Sequence, residues 1–326
     1  MKFLARYRPA IISGLREALA GVTPLRAILR YHVGLEDEAG NPVDALGKLL
    51  RPAFVLFAAE ELGGTYREAL PAAVALELIH NFSLIHDDIQ DRDRMRRGRP
   101  TVWVLHGIPE AINAGDLMYT IAISVALSLP DGATSCLVRA TDAMIEGQSL
   151  DLGFESKSVG LDEYLKMIDY KTGALLRCAF ELGSLCAGAD EDVLEIMRRF
   201  GHEIGRAFQI RDDVLGIWGN GEVVGKPQGS DIRHRKKSYP VAAVFERVTD
   251  ADREKLERIY VGEAVDEGDV AWVIALLDRL GIREEAEERT RWHLAEAHRL
   301  LSSLALSEGG REDMDELMDF LARREK

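Results

Sequence analysis

Cysteine is scarce in this chain of 326 residues, and its distribution excludes several classes of protein. Cys136, Cys178 and Cys186 are an odd number and form no C-x-x-C pair, which argues against a disulfide framework and against a zinc site with sulfur ligands. Free thiols are typical of a reducing compartment, so we predict a cytoplasmic protein. Sustained alternation of β-branched residues is also missing, and the sequence therefore predicts no strands.

Acidic residues outnumber basic residues: 55 Asp and Glu against 41 Lys and Arg give a formal net charge of -14. A chain this acidic lacks the overall positive field that binding to nucleic acid or to an anionic membrane usually requires. We therefore expect no nucleic-acid partner. Any anionic ligand must be bound by a local group of cations or through metal ions.

Long apolar runs are missing as well. The strongest one, residues 117–129, is too short to cross a bilayer and contains Thr120, Ser124 and Ser128. We interpret it as a buried core helix and expect no stable membrane insertion.

Apolar residues recur at helical spacing through most of the chain. Val74, Leu78, Phe82 and Ile85 form one such stripe. The turn signals between these stretches do not resemble an interdomain linker. These patterns predict an all-α protein with a single domain over residues 1–326.

The first candidate site is an acidic cluster, Asp87, Asp88 and Asp91. On a helix, Asp87 and Asp91 share a face and Asp88 lies about 100° away. Two carboxylates about 4 Å apart repel by about 4 kcal/mol at an effective dielectric constant of 20, so the cluster favours a bound cation. Oxygen ligands suit Mg²⁺, which often shares its coordination sphere with substrate phosphates. A solvated helix end is the alternative interpretation.

A second acidic pair, Asp212 and Asp213, follows a mostly apolar helical stretch. Both clusters have basic residues near them in the sequence: Lys48, Arg51, Arg96, Arg97, Lys226 and Lys236. Carboxylates that bind metal, together with guanidinium and ammonium groups, are what phosphate oxygens require. For the basic residues the alternatives are salt bridges at the surface and a solvated loop.

Five separated motifs make the chain resemble the polyprenyl synthetase family, the trans-isoprenyl diphosphate synthases. They are Gly47-Lys48-Leu49-Leu50-Arg51-Pro52, the stretch from Leu78-Ile79-His80 through Asp87-Asp88-Ile89-Gln90-Asp91 to Arg96-Arg97-Gly98-Arg99-Pro100-Thr101, Lys171-Thr172-Gly173, Phe208-Gln209-Ile210-Arg211-Asp212-Asp213, and Gly225-Lys226 with Asp231, Lys236 and Pro240. The resemblance implies the isoprenoid synthase type I fold, an all-α bundle around a deep central cavity with the aspartate motifs facing each other at its mouth. It also implies a homodimer.

The resemblance implies the site residues as well. Asp87, Asp88, Asp91, Asp212 and Asp213 resemble the family's ligands of Mg²⁺, three ions per active site bridged by substrate. Lys48, Arg51, His80 and Arg97 resemble its pocket for isopentenyl diphosphate, and Arg96 resembles the arginine that binds the allylic diphosphate. Lys171, Lys226 and Lys236 are similar to the lysines that draw off the leaving diphosphate, and Thr172 and Gln209 to the dipoles that face the developing carbocation.

Two positions qualify this assignment. Gly216 stands where the family's second motif usually has a third aspartate, with Asn220 shortly after it. We expect Asp212 to bind metal nonetheless, and Gly216 to weaken only a contact made through water.

Phe82, five residues before Asp87, is expected to limit the product to C15 to C20, unless its ring only packs in the core.

The expected activity is the condensation of isopentenyl diphosphate with an allylic diphosphate to farnesyl or geranylgeranyl diphosphate. A class I terpene cyclase on the same scaffold is one alternative, but it would not need Lys48, Arg51 and Arg97 for a second diphosphate. A regulatory subunit without catalytic activity is another, which Gly216 keeps open.

Overall fold

The computed structural model describes residues 2–154, 157–219, 228–262 and 264–323. Lys226 and Asn220, both named above, lie outside the described residues. Helices dominate the described part of the chain, which confirms the prediction of an all-α fold.

The α-helices are α1 (Lys2–Ala18), α2 (Pro24–Val33), α3 (Leu50–Glu61), α4 (Tyr66–Gln90), α5 (Val102–His106), α6 (Ile108–Ala126), α7 (Ala133–Phe154), α8 (Leu161–Ile168), α9 (Ala174–Cys186), α10 (Glu191–Trp218), α11 (Ser230–Arg233), α12 (Tyr239–Phe245), α13 (Asp250–Val261), α14 (Glu267–Arg279), α15 (Ile282–Leu301) and α16 (Glu308–Arg323). A π-helical turn, Asp169–Gly173, joins α8 to α9.

A short β-hairpin between α4 and α5 shows that the prediction of no strands was wrong. Strands β1 (Met95–Arg96) and β2 (Arg99–Pro100) pair antiparallel. The turn residues Arg97 and Gly98 have φ angles of 52° and 72°, and positive φ at both positions is what a two-residue type I′ turn requires. Strands of two residues are too short to show alternation in a sequence.

The chain divides into two compact units. The first comprises Met1–Thr141, Cys178–Met197 and Leu306–Asp313, and the second comprises Asp142–Arg177, Arg198–Ala305 and Met314–Lys326. A single domain around a deep central cavity stays a prediction.

Helix α4 forms the core of the first unit, where it packs against α1, α3 and α6. Thr65 caps its start by accepting from the backbone N–H of Glu68 at 3.3 Å, which satisfies one of the free donors of the first turn. By length and composition alone α4 could cross a membrane, but 67% of its most apolar window is buried within the protein. Burial of this extent is typical of a core helix.

The interpretation of residues 117–129 as a buried core helix is confirmed for one face, because Met118, Ile121, Ala122 and Ala126 of α6 are buried, but not for the end of the stretch. Helix α6 ends at Ala126, and Leu127 beyond it is 75% exposed. Ile108 and Ile112 near the start of the helix are exposed too, and the exposed residues between Ile112 and Leu127 are polar: Asn113, Asp116, Thr120 and Ser124. Helix α6 is therefore amphipathic, with one face packed on α4 and a mostly polar face exposed.

A separate hydrophobic core holds the second unit together. It combines buried side chains of α8, α10 and α12 to α15. Ile210, Val214 and Ile217 of α10 are buried on one stripe of this core, at the spacing of a helix face. Because this stripe is fixed, the polar residues between its members are held in defined directions.

Candidate active site

The first acidic cluster lies at the carboxyl end of α4. Asp87 and Asp88 belong to the last turn, and Asp91 follows it, with its N–H donating to the carbonyl oxygen of Asp87 at 2.8 Å. The helix macrodipole places partial negative charge at this end, so carboxylates here are repelled by the helix as well as by one another. The predicted preference of this cluster for cations therefore has a structural basis.

Arg96 supplies one cation from the hairpin. Its Nε donates to Oδ1 of Asp88 at 2.7 Å, and the side chain of Asp88 is only 1% exposed. Burial raises the pKa of Asp88 to about 6, although Arg96 acts to lower it. Oδ2 of Asp88 is buried without a hydrogen-bond partner. Asp88 is therefore directed into the protein, where it positions Arg96.

A group of basic side chains lies in the same unit near Gly47. Nη1 of Arg51 lies 3.3 Å from Nε2 of His80. A Cβ atom added to Gly47 would lie 2.9 Å from Nη2 of Arg97, so the guanidinium packs directly on the backbone of residue 47. Lys48, the next residue, is exposed. The structure thus brings together Arg51, His80 and Arg97.

Glu77 is a member of this group that the sequence analysis missed. Its side chain is 4% exposed, and Oε1 accepts from Nδ2 of Asn81 at 2.8 Å. Burial raises the pKa of Glu77, whereas Arg97 and Arg51 act to lower it. A lone acid within the apolar stretch of α4 was the available signal, because buried charges are rarely left without a partner. Glu77 is the counter-ion of the basic group.

His80 is neutral in this environment. Burial lowers the pKa of His80 well below its usual value, and the neighbouring cation Arg51 lowers it further. A neutral imidazole can accept a hydrogen bond, and Nε2 is the atom that faces the Arg51 guanidinium. His80 therefore orients Arg51 and adds no charge.

A small pocket beside Asp88 connects the acidic cluster with the arginines of the hairpin. It is lined by Tyr31, His32, Ala45, Asp88, Arg96, Arg97, Arg99, Pro100 and Thr101. Arg99 is held by bonds to the carbonyl oxygens of Tyr31 at 3.1 Å and Glu36 at 2.7 Å. An anion near this pocket would meet three guanidinium groups.

Phe82 lies one turn and a half before the acidic cluster, with its side chain buried in the first unit. Its ring centroid is 5.4 Å from that of Tyr119 on α6 and 5.6 Å from that of His86, edge to face. His86 in turn fills the space beside Gly115, where an added Cβ would lie 2.2 Å from Nε2. The ring of Phe82 is thus supported on two sides. The contact with Tyr119 was not predicted.

Asp213 is the centre of a hydrogen-bond network in the second unit. Its carboxylate is fully buried and accepts from Nε2 of Gln209 at 3.0 Å, from Nζ of Lys236 at 2.7 Å and from the backbone N–H of Tyr239 at 2.8 Å. The hydroxyl of Tyr164 also donates to it. Four donors occupy this carboxylate, so Asp213 acts in the structure as an anchor. Asp212, its neighbour, is half-buried.

The π-helical turn positions Lys171 and Thr172. Lys171 forms an ion pair with Asp151 of α7, and Oγ1 of Thr172 donates to Oε1 of Gln209 at 2.8 Å. The turn approaches α7 so closely that a Cβ on Gly147 would lie 2.2 Å from the backbone nitrogen of Lys171. The structure thus brings Thr172 and Gln209 together. Asp151 was missed, since nothing in its sequence position indicated a partner.

Magnesium would have to be held jointly with a ligand. Within the described ranges, no three Asp, Glu, His or Cys residues are grouped closely enough to hold a metal ion by themselves. The donors on α4 are nevertheless all carboxylate oxygens, which is the chemistry that Mg²⁺ prefers, and it usually keeps places for water and phosphate oxygens. The residues fit an ion whose coordination is completed by a diphosphate.

The fold and the two motif regions define an isoprenoid synthase of the all-α class. The model of the polyprenyl synthetase family matches residues 34–277. The chain belongs to the polyprenyl synthetase family, a family of prenyltransferases that depend in general on magnesium. This confirms the family and the enzyme class that the motifs predicted.

Curated relatives and solved structures agree with this assignment. The chain is 39% identical over 311 residues to (2E,6E)-farnesyl diphosphate synthase of Mycobacterium tuberculosis, which covers 92% of this chain and 86% of the relative. It is 37% identical to the short chain isoprenyl diphosphate synthase of Methanothermobacter thermautotrophicus, over 100% of this chain and 98% of the relative. The crystal structure of polyprenyl synthetase from Streptomyces coelicolor A3(2) matches with a TM-score of 0.90 at 37% identity, covering 98% of both chains.

Proposed function

We propose that the protein is a short-chain trans-prenyltransferase that condenses isopentenyl diphosphate with an allylic diphosphate, giving farnesyl or geranylgeranyl diphosphate. The observation that carries this proposal is the hairpin. Arg96 is bound to Asp88 of the acidic cluster, whereas the next residue, Arg97, packs on Gly47 beside Arg51. Two neighbouring arginines thus contact two different groups, the acidic cluster and the basic group around Arg51, and this supports a reaction with two diphosphate substrates.

The acidic cluster binds the allylic diphosphate. Asp87 and Asp91 would hold magnesium, and Asp88 would hold Arg96 in place for the same diphosphate. When bound, magnesium neutralises charge on the leaving diphosphate. Asp212 would contribute a ligand to a further magnesium ion. Asp213, which was predicted as a ligand too, positions the residues around its own carboxylate, so we assign Asp213 a structural role. Three ions per active site remain part of this proposal.

The basic group binds isopentenyl diphosphate. Arg51 and Arg97 provide guanidinium forks for its phosphates, and Lys48 adds a point charge. The carboxylate of Glu77 offsets part of the repulsion between the two guanidinium groups. Neutral His80 orients Arg51. A terpene cyclase acts on one diphosphate and would leave this group without a purpose.

The reaction requires no nucleophile from the protein. The bond between C1 of the allylic substrate and its diphosphate oxygen breaks, and the bonding electrons leave with pyrophosphate. The double bond of isopentenyl diphosphate attacks C1, and the new cation loses a proton to the departing pyrophosphate. Lys171, Lys226 and Lys236 would bind the leaving group, and the oxygen dipoles of Thr172 and Gln209 would stabilise the cation.

Product length follows from Phe82. Its buried ring, supported by Tyr119 and His86, would end the space available to a growing chain at C15 to C20. The names of the relatives, which include both farnesyl and geranylgeranyl diphosphate synthases, support the same range.

We further propose a cytoplasmic homodimer in which residues 1–326 act as one polyprenyl synthetase domain. The family match spans parts of both compact units. Ile108 and Ile112, which are exposed one turn apart at the start of α6, support the dimer, because neighbouring apolar side chains left uncovered are typical of an interface. Sedimentation of the wild type and of Ile112→Lys would test the dimer.

One assay tests the activity. Purified protein is incubated with Mg²⁺, isopentenyl diphosphate and, in turn, the C5, C10 or C15 allylic diphosphate, and the alcohols are sized after dephosphorylation. Elongation to C15 or C20 is expected. Cyclic hydrocarbon formed from an allylic diphosphate alone would indicate the cyclase, and no turnover with any primer would indicate the regulatory subunit.

A further inference from the structure

The π-helical turn that carries Lys171 and Thr172 lies within an otherwise continuous helix. Ile168 and Ala174, on either side of the turn, have α-helical dihedral angles, so α8 and α9 continue each other through it. Turns of this kind are rare, and each one shifts the residues within it away from their α-helical directions. Contacts from outside the turn must therefore keep Lys171 and Thr172 in place.

Asp169, the first residue of the turn, is bound by Arg206 of α10 through two parallel hydrogen bonds. Nε of Arg206 donates to Oδ1 of Asp169 at 2.8 Å, and Nη2 donates to Oδ2 at 2.7 Å. The side chains of Arg206 and Asp169 are only 25% and 22% exposed. A two-pronged pair of a guanidinium and a carboxylate fixes orientation as well as supplying energy. Asp169 thus cannot rotate without breaking both bonds.

His202 also faces the carboxylate of Asp169, one helical turn before Arg206. Its Nδ1 lies 3.6 Å from Oδ1 of Asp169. Burial lowers the pKa of His202, although Asp169 acts to raise it, so the imidazole carries no charge at neutral pH. Arg206 is therefore the cation that balances Asp169.

A second bond joins the far side of the turn to the same helix. Oγ1 of Thr172 donates to Oε1 of Gln209 at 2.8 Å. Three residues separate Asp169 from Thr172 on the turn, and three separate Arg206 from Gln209 on α10. Residues at this spacing are neighbours on one face of a helix. A shift of the turn by one residue would therefore break both contacts at once.

The backbones of the turn and of α10 also lie close together. A Cβ atom added to Gly205 would lie 3.0 Å from Cα of Gly173, which is buried. Gly205 directly precedes Arg206, so the closest backbone approach adjoins the two-pronged pair. The turn has little space in which to change its register while that pair is intact.

We propose that Arg206 is a positioning residue, which sets the register of the π-helical turn through Asp169 and so places Lys171 and Thr172 for the reaction. Each member of the pair stands two residues before a motif, Asp169 before Lys171-Thr172-Gly173 and Arg206 before the motif that begins at Phe208. The pair therefore couples two motifs without belonging to either. This inference rests on the proposed function, because the roles of Lys171 and Thr172 belong to that reaction.

Three variants test the proposal: Arg206→Ala, Arg206→Lys and Asp169→Asn. We expect Arg206→Ala to lower kcat about a hundredfold, because a displacement of about 1 Å at a catalytic group can have that effect. The KM for isopentenyl diphosphate is expected to stay unchanged, since the basic group around Arg51 does not contain the turn. Lysine retains the charge but not the fork, and asparagine retains one acceptor, so both should give intermediate rates.

A second set of measurements shows whether Arg206 acts through the turn. Arg206→Ala is repeated in a background that carries Lys171→Ala and Thr172→Ala, with radiolabelled isopentenyl diphosphate to follow slow turnover. There it is expected to change kcat by about twofold at most, because the residues that it positions are already gone. Arg279→Ala is the control, since it breaks an ion pair of 2.7 Å with Asp252 between α14 and α13. The control is expected to retain the wild-type kcat.

Several results would overturn the proposal and leave the proposed function intact, provided that the wild type elongates. They are a wild-type kcat in Arg206→Ala, a KM for isopentenyl diphosphate that rises as much as kcat falls, and an equal loss of kcat in both backgrounds. If Arg206→Ala does not fold, Arg206→Lys and Asp169→Asn, measured in both backgrounds, decide. A wild type that does not elongate with any primer would overturn the proposed function together with this inference.

Discussion

Asp88 and Arg96 form an ion pair in which only the arginine reaches solvent, since their side chains are 1% and 27% exposed. The acid is held by one oxygen, and its second oxygen is buried without a protein donor. Removing such a carboxylate from water is costly, and a single arginine offsets that cost only in part. Ionisation of Asp88 is therefore a source of pH dependence.

Stability without metal is expected to fall between pH 4 and pH 6 because of Asp88. Its pKa of about 6 in the fold lies above the usual value of 3.8, so the folded protein retains a proton that the unfolded chain has lost. Stability contributed by that proton is lost as the pH rises through the folded pKa. A shift of about two units corresponds to at most about 3 kcal/mol.

The matching variant is Asp88→Asn, which has no proton to lose. Urea unfolding of the wild type and the variant at pH 4.5 and pH 7, without Mg²⁺, gives the comparison. The variant is expected to gain stability relative to the wild type at the higher pH. An equal difference at both pH values would show that Asp88 ionises normally in the fold.

Asp213 and Asp212 are expected to respond differently to removal. Asp213→Ala leaves a half-buried ammonium, a phenol, a side-chain amide and a backbone N–H without their shared acceptor, so the free energy of unfolding is expected to fall by about 3 kcal/mol. Asp212→Ala is expected to retain stability and to lower kcat by about a hundredfold. Urea unfolding and steady-state rates measure the two effects. Loss of stability in both variants, or in neither, would contradict the division of roles.

Gly47→Ala is expected to displace the Arg97 guanidinium. The atom that the new methyl group meets is the flexible end of a side chain, at 2.9 Å, so the fold can adapt at little cost in stability. The KM for isopentenyl diphosphate is expected to rise about tenfold, equivalent to about 1.4 kcal/mol, while the KM for the allylic substrate stays unchanged. Gly153→Ala, where an added Cβ meets no atom within 4 Å, is the control. Equal changes in both KM values would argue against a separate pocket.

Phe82 and Tyr119 are expected to limit the product together. Phe82→Ala removes the ring, and Tyr119→Ala removes its support, so both variants should give longer chains than the wild type. The double variant should give the longest. Tyr66→Ala, an aromatic residue of α4 that packs on Tyr7 instead, is the control. An unchanged product spectrum in the double variant would show that Phe82 only packs in the core and does not limit product length.

The sequence predicted the helical class and the residues of the acidic clusters because both depend on local spacing. Asp87, Asp88 and Asp91 share a helix end whatever the tertiary structure is. The spacing could not show that Asp88 turns inward to Arg96, since that depends on a hairpin whose type I′ turn uses an arginine with positive φ. Positive φ outside glycine is uncommon, and the sequence has no marker for it here.

Contacts between segments far apart in the sequence were the second feature that the sequence could not predict. Tyr119 and Asp151 support predicted residues, but they come from α6 and α7, which carry none of the five motifs, and Glu77 lies one residue before the second motif. Residues 117–129 were assigned entirely to a core for a related reason, since apolar composition does not show which face of a helix is covered.

Gly147 has a consequence for how this enzyme tolerates mutation. The π-helical turn lies so close to α7 that even one methyl group at residue 147 would push Lys171 away from its partner Asp151. A library randomised at this position and selected for growth on the enzyme's product should return glycine almost alone. A residue without a reactive group would then be as intolerant of replacement as the lysine opposite it.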